Sequence, residues 1–128
     1  MEKIDDYIKR HVANKEKSQD FVDYLLQLME KHGFKNDPDL YNKANISRQS
    51  WNAIINRKVE PQLNTALKII FALEADNHEC KYLLKKIGIT LASSSKFALV
   101  VRYCIENKIY DLYEVNKFLE QQGCEYIV

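Results

Sequence analysis

Residues 40–75 decide the fold, and they read LYNKANISRQSWNAIINRKVEPQLNTALKIIFALEA. A short helix through Leu40 is followed by Asn45, and Asn is, after Gly, the residue that most readily adopts the left-handed conformation of a sharp turn. Ser47 can then cap a second short helix. The inward side of that second helix would be Trp51, Ile54 and Ile55. Two short helices joined by a tight turn form a helix-turn-helix unit.

A third helix is predicted after Pro61, where the apolar positions recur at helical spacing. They are Leu63, Ala66, Leu67, Ile70, Phe71 and Leu73. Because this stripe is almost wholly apolar, we expect the helix to lie at the centre of the domain.

The chain before this stretch has the same periodicity. Residues 1–17 form an amphipathic arm, with apolar positions at Ile4, Tyr7, Ile8, His11 and Val12. Ser18 can cap the next helix, which Gly33 ends. Asp37 and Pro38 look like an N-cap and the first position of the short helix through Leu40.

Further helices follow the central one. Asn77 is predicted to cap a helix that Gly88 ends. Ser93 or Ser94 opens the next, and Asp111 with Glu114 fits a capping box for a last helix ending at Gly123. We therefore predict an all-α protein with seven helices and no strand. Residues 18–88 form a five-helix domain, residues 89–128 form a C-terminal helical pair, and residues 1–17 precede them as a helical arm.

The composition is that of a folded soluble domain. Hydrophobic residues make up 46% and charged residues 29% of the 128 positions, which suits one compact domain or a small domain with an appendage. No apolar run approaches the roughly 18 residues that a membrane span needs. We expect a cytoplasmic protein that binds no membrane, and the odd number of scattered cysteines, Cys80, Cys104 and Cys124, indicates free thiols.

No motif indicates an enzyme. His11, His32 and His78 are scattered and lack a second His at metal-binding spacing. Neither a Gly-rich phosphate loop nor a Gly-x-Ser-x-Gly turn is present. We therefore expect neither catalysis nor a cofactor.

The order of these features resembles the helix-turn-helix of the Cro and lambda-repressor-like (XRE) family. The matching positions are Leu40, the run Ala44-Asn45-Ile46-Ser47-Arg48, Ile54, Pro61, Thr65, Ala72 and Leu73. The resemblance implies a lambda-repressor-like five-helix domain whose recognition helix spans about residues 47–57. Tyr41 stands where the family usually has Ala, so we expect altered packing there, and Ile55 and Arg57 stand where it often has Glu and Gly.

A second resemblance covers nearly everything after Ser18. Its motifs are Tyr41-x-Lys43-Ala44-Asn45-Ile46-x-Arg48, Asn64-Thr65-Ala66-Leu67, Ser94-Ser95-Lys96-Phe97 and Ile109-Tyr110-Asp111. They are similar to a helical module of bacterial proteins that often forms the C-terminal tail behind another domain, such as a macro domain. This resemblance implies recruitment or assembly, in a signalling or defence system, by the same fold.

Charge is concentrated around the predicted recognition helix. Residues 41–60 contain Lys43, Arg48, Arg57 and Lys58 against Glu60 alone, which gives +3, whereas the whole chain carries +1. If Trp51 and Ile54 face inward, helical geometry turns the neighbouring polar side chains outward. These are Arg48, Gln49, Ser50, Asn52 and Asn56. We predict that Arg48, Gln49 and Asn52 contact base edges and that Lys43, Arg57 and Lys58 contact phosphates, the alternative being an ordinary solvated helix face.

Two functions remain open. The first is a non-enzymatic bacterial regulator of transcription that binds double-stranded DNA, and the second is a protein–protein assembly module. A DNA-binding form would need a homodimer that matches two half-sites roughly 34 Å apart, formed through the C-terminal helices or the arm. A contiguous basic face around Arg48 and Arg57 would favour DNA. An exposed apolar patch on the last two helices, with mixed charges on the motif helix, would favour a protein partner.

Overall fold

A computed structural model describes residues 2–17 and 19–128, with side chains described for residues 2–10 and 19–128. This part of the chain contains eight helices and no strand. They are α1 (Ile4–Lys17), α2 (Phe21–Lys31), α3 (Asp37–Lys43), α4 (Arg48–Ile55), α5 (Leu63–Leu73), α6 (Asn77–Lys86), α7 (Lys96–Glu106) and α8 (Leu112–Gln121). The all-α prediction is confirmed. The seven helices predicted for residues 18–128 are all present, and the predicted helical arm is the eighth helix, α1.

The central helix is α5, as the sequence predicts. Seven of its residues are buried, namely Ala66, Leu67, Ile69, Ile70, Phe71, Ala72 and Leu73. α5 contacts both α3 and α6, α6 in turn contacts α2 and α7, and α7 pairs with α8. No helix in the described residues combines the length and the hydropathy of a membrane span.

The buried core continues from α2 to the last residues of the chain. α7 and α8 add Val101, Cys104, Val115 and Leu119 to the core formed by α2 to α6. Ile127 is also part of it, because Asn116 donates to its carbonyl at 3.0 Å and accepts from its N–H at 2.8 Å. The described side chains of α1, by contrast, are all exposed.

Two helices, α2 and α6, begin with a capping box, and in both the cap differs from the residue that the sequence predicts. Ser18, the predicted cap of α2, lies outside the described residues, and the N-cap is Asp20, paired reciprocally with Asp23. For α6 the predicted cap, Asn77, is the first helical residue, and Asp76 caps instead. In both helices the carboxylate that caps is followed three residues later by a second carboxylate, which completes the box.

At the N-termini of α3, α7 and α8 the capping also differs from the sequence prediction. Asn36, not Asp37, caps α3 and accepts from the Asp39 N–H at 3.0 Å. Ser95, not Ser93 or Ser94, caps α7. Asp111 does cap α8, but it accepts from Tyr113, and no reciprocal bond from Glu114 completes the predicted box. Adjacent Asn, Asp and Ser residues have similar capping preferences, so composition cannot select among them.

The predicted glycine stops are confirmed. Gly33, Gly88 and Gly123 all have positive φ and follow the ends of α2, α6 and α8. At Gly33 the next N–H, that of Phe34, donates to the carbonyl of Met29 at 2.8 Å. This 6→1 bond is the Schellman motif, which requires the left-handed conformation at the residue after the cap.

One buried carboxylate joins α2 to α6. Glu79 is 2% exposed, and its two oxygens accept from the Lys31 Nζ at 2.8 Å and contact the His32 Nε2 at 3.0 Å. Burial acts to raise the pKa of Glu79, but the hydrogen bonds from Lys31, the Asp76 backbone and His32 outweigh it and lower that pKa. The charged form therefore stabilises the junction between the two helices.

We expect the substitution Glu79→Gln to lower the free energy of unfolding by about 2 kcal/mol, because it removes charge-assisted hydrogen bonds from a buried site. Urea unfolding, followed by the fluorescence of the single Trp, measures this change. Glu125→Gln removes an exposed carboxylate and should change the free energy by no more than about 0.5 kcal/mol. Equal effects of the two substitutions would contradict the assigned role of Glu79.

Candidate nucleic-acid interface

The turn between α3 and α4, residues 44–47, has the conformation that its sequence predicts. Asn45 adopts the left-handed region with φ 57°. The N–H of Ile46 donates to the Tyr41 carbonyl at 2.9 Å, and the Ile46 side chain is buried. The turn is therefore anchored at its centre, which fixes the direction in which α4 leaves it.

α4 is held in place by its inward side. Trp51 is fully buried and Ile54 nearly so. The Trp51 indole N–H donates to the Asp37 carboxylate at 2.9 Å, so the residue predicted to cap α3 links α3 to α4 instead. The Tyr41 ring lies 6.1 Å from the Trp51 ring. Tyr41 is thus accommodated by packing on an aromatic side chain.

The opposite side of α4 is exposed and polar, as predicted. Arg48, Gln49, Ser50 and Asn52 are exposed, and so is Asn56, which follows the last residue of the helix. Ser50 is part of the N-cap, because its N–H and hydroxyl oxygen both bond the Ser47 hydroxyl. The side chains of Arg48, Gln49 and Asn52 have no hydrogen bond or ion pair to any described residue. Their polar groups are available to a ligand.

The start of α4 carries a cation and no acidic residue, an arrangement that it shares with α7, which begins with Lys96. α2, α3 and α6 carry acidic residues in their first turn, which the positive end of the helix dipole favours. α4 has none there and begins with Arg48. A cation at this end is unfavourable by about 0.3–1 kcal/mol. No described carboxylate pairs with Arg48, so an external anion would offset the cost.

Arg57 occupies the C-terminal end of α4 in a different environment. Its backbone has φ 60°, and the Lys58 N–H donates to the Ala53 carbonyl at 2.9 Å, which is the Schellman geometry. Its guanidinium donates to both Asp20 oxygens at 2.6 and 3.2 Å and to Asp23 at 2.9 Å. The hydrogen bond from Arg57 lowers the pKa of Asp20 to about 2.

Lys43 is also paired within the fold. Its Nζ donates to Glu74 at 2.8 Å and lies 5.7 Å from the centre of the Phe34 ring. Of the four predicted cations, Arg48 and Lys58 alone lack an ion pair to a described residue.

The surface around α4 is therefore less basic than the sequence indicates. Folding adds Asp20, Asp23 and Glu74 to the four cations and to Glu60, so positive and negative charges balance. The sequence offers no signal for these carboxylates, because they are 31 to 37 residues from their partners. The basic face is not contiguous between Arg48 and Arg57.

A groove of about 310 Å³ lies beside the C-terminal end of α4, and Asp20, Arg57, Lys58 and Lys86 are part of its lining. A groove of about 730 Å³ lies between the α3–α4 turn and the α7–α8 connection, and it is lined by three lysines and three carboxylates. Among the described residues, no group of three or more His, Cys, Asp or Glu side chains is placed to hold a metal ion.

Comparison with protein-family models, with curated proteins and with solved structures gives no match to this chain.

We expect Arg57→Gln to raise the pKa of Asp20 from about 2 toward its ordinary value of 3.8. The folded pKa is depressed, so the pair stabilises the fold above the ordinary pKa and loses that effect as the pH falls toward 2. Carboxyl NMR titration measures the change. Arg48→Gln serves as the matched control and should leave Asp20 unchanged. An Asp20 pKa that stays at about 2 in Arg57→Gln would show that another group holds it down.

Proposed function

We propose that this protein binds double-stranded DNA without catalysing a reaction, through a lambda-repressor-like helix-turn-helix formed by α3, the turn at residues 44–47 and α4. The observation that carries the proposal is the outward face of α4. It combines Arg48, Gln49 and Asn52, which lack partners within the described fold, on a helix whose other side is buried at Trp51 and Ile54. Because the backbone of the helix is held in place, binding has to order only these side chains.

These side chains are suited to base edges in the major groove. The guanidinium fork of Arg48 matches the O6 and N7 acceptors of guanine, and the amides of Gln49 and Asn52 match adenine N6 and N7. An eight-residue helix is about 12 Å long, so it reads a short sequence. In this arrangement Trp51 and Asp37 position the helix and make no contact with the DNA.

Phosphate contacts are few in one copy. Of the three predicted phosphate contacts, Lys58 alone has no ion pair to a described residue, whereas Lys43 and Arg57 are already paired with carboxylates. One phosphate contact corresponds to a slope of about −1 in a plot of log affinity against log salt concentration. The affinity of a single copy is therefore expected to be low, and sequence-specific binding requires a symmetric dimer.

The proposal is tested by measuring binding to a random-sequence duplex over a salt series. Arg48→Ala/Lys58→Ala should abolish most of the salt dependence, because it removes the unpaired phosphate contact, Lys58, together with the positive charge of Arg48 in the groove. Lys81→Ala/Lys85→Ala makes the same charge change on α6 and should leave binding within about two-fold of the unmodified protein. In a pool of selected duplexes, Gln49→Ala/Asn52→Ala should reduce sequence preference by roughly ten-fold or more per lost base contact.

Absence of binding at low salt would overturn the proposal. Equal losses of binding in Arg48→Ala/Lys58→Ala and in Lys81→Ala/Lys85→Ala would contradict the α4 interface. They would indicate that DNA binds to positive charge anywhere on the surface.

A second candidate function is a protein–protein assembly module with the same fold. Two observations favour it: the balanced charge around Arg57, where Asp20 and Asp23 neutralise the guanidinium, and the exposed apolar side chains of α7 and α8, among them Leu99 and Tyr103. A DNA-binding face is basic, whereas exposed apolar patches mark sites of protein–protein interaction. In the same experiment this candidate predicts no duplex binding, together with an effect of α4 substitutions on capture of a partner protein.

A further inference from the structure

One side of α7 exposes a regular stripe. Lys96, Leu99, Tyr103 and Glu106 are all exposed, and Leu99 and Tyr103 are 41% and 49% accessible despite their size. The intervals between them are three, four and three residues. This is the heptad spacing at which a helix pairs with another helix along a narrow seam. α7 already buries its other side against α6 and α8.

The apolar middle of the stripe continues onto α8. The Tyr103 ring packs edge-on against Phe118 with the ring centres 5.5 Å apart. Beside them a groove of about 370 Å³ runs between the two helices, and on the α8 side Phe118 and the uncharged Gln121 and Gln122 line it. The surface therefore has an apolar centre and no charge on its α8 side.

The charged residues at the ends of the stripe oppose the dipole of α7. Lys96 is the first residue of the helix and Glu106 is the last. A cation near the positive end and an anion near the negative end are both unfavourable for the helix itself. The Arg102 Nε lies 3.7 Å from the Glu106 Oε1, and Lys96 has no ion pair to a described residue. The two charges therefore destabilise α7, and the contacts within one copy only partly compensate for this.

Both charges find partners if a second copy approaches about a two-fold axis. An antiparallel pairing of α7 with itself, centred near Val101, places Lys96 beside the partner's Glu106 and Leu99 beside the partner's Tyr103. The same rotation repeats each contact, as an isologous interface requires. The stripe is thus complementary to itself in both charge and apolar character.

We propose that this stripe is a self-association surface, at which two copies of the chain pair through antiparallel α7 helices. A short helix with flanking α8 residues buries less than the roughly 800 Å² per partner of a standard interface. The dimer is therefore weak, and monomer and dimer exchange in a concentration-dependent equilibrium. This inference does not rest on DNA binding.

Charge reversal tests the pairing in the absence of DNA. Lys96→Glu places like charges at both ends of the homodimer seam, and so does Glu106→Lys. Each single variant should self-associate at least about ten-fold more weakly than the unmodified chain. The variant carrying both substitutions restores opposite charges and should regain the original dissociation constant. Sedimentation velocity over a concentration series measures all of these.

Mixing the two single variants gives the sharpest outcome. In the mixed pair both ends of the seam again carry opposite charges, so a heterodimer should form although neither variant pairs with itself. Both substitutions agree with the helix dipole, although Glu106→Lys also removes the contact with Arg102, so the stability of each variant is measured beside its self-association. Lys35→Glu, an exposed position in the connection between α2 and α3, is the matched control and should have no effect. Leu99→Asp should abolish pairing in every combination.

A purely monomeric unmodified chain at high concentration would overturn the proposal. So would self-association that Lys96→Glu and Glu106→Lys leave unchanged, or a mixture of these two variants that forms no heterodimer. Thermal unfolding of each variant establishes that the chains compared are folded.

Discussion

The hydrogen bond from the buried Trp51 indole to Asp37 sets the geometry on which the rest of this surface depends. A fully buried indole N–H must have an acceptor, because an unsatisfied polar group in the interior costs about 1–3 kcal/mol. The acceptor comes from the first residue of α3, so the bond fixes α4 relative to α3 as well as its rotation about its own axis. Arg48, Gln49 and Asn52 face outward because Trp51 can face only inward. Changes that disturb Asp37 would therefore alter the outward face without touching it.

Arg57 both ends α4 and joins it to α2. The end of α4 needs a left-handed residue, and a residue with a Cβ adopts that conformation at a cost of roughly 1–2 kcal/mol. The guanidinium compensates by joining the C-terminal end of α4 to Asp20 and Asp23 at the start of α2. Asp20 and Asp23 also neutralise the positive charge of Arg57, which the sequence predicts to contact phosphate. The side chain at this position therefore affects both the local packing and the electrostatic character of the surface.

The sequence predicts the local features of the structure well, but it does not predict contacts between residues that are distant in the chain. Asn45, Ser47, the burial of α5 and the glycine stops follow from backbone preference and from periodicity, which depend on near neighbours. Caps are misplaced by one residue at α3 and α6, where neighbouring side chains have equal capping ability and the packing decides. The charge of the α4 surface cannot be predicted from the sequence, because Asp20 and Glu74 contact their partners only when distant helices pack together. The lambda-repressor-like arrangement and the role of the α4 face stay predictions.

The positions of the cysteines bear on whether the two halves of the chain unfold together. Cys80 in α6 and Cys104 in α7 lie on either side of the connection between the helices, and both belong to the continuous core. Burial raises the pKa of the Cys80 thiol to about 12, so native Cys80 is inert to alkylating reagents. Each thiol reacts only when its surroundings open. Their labelling rates under native conditions therefore report the cooperativity of the fold, and a shared core corresponds to a single opening rate for both.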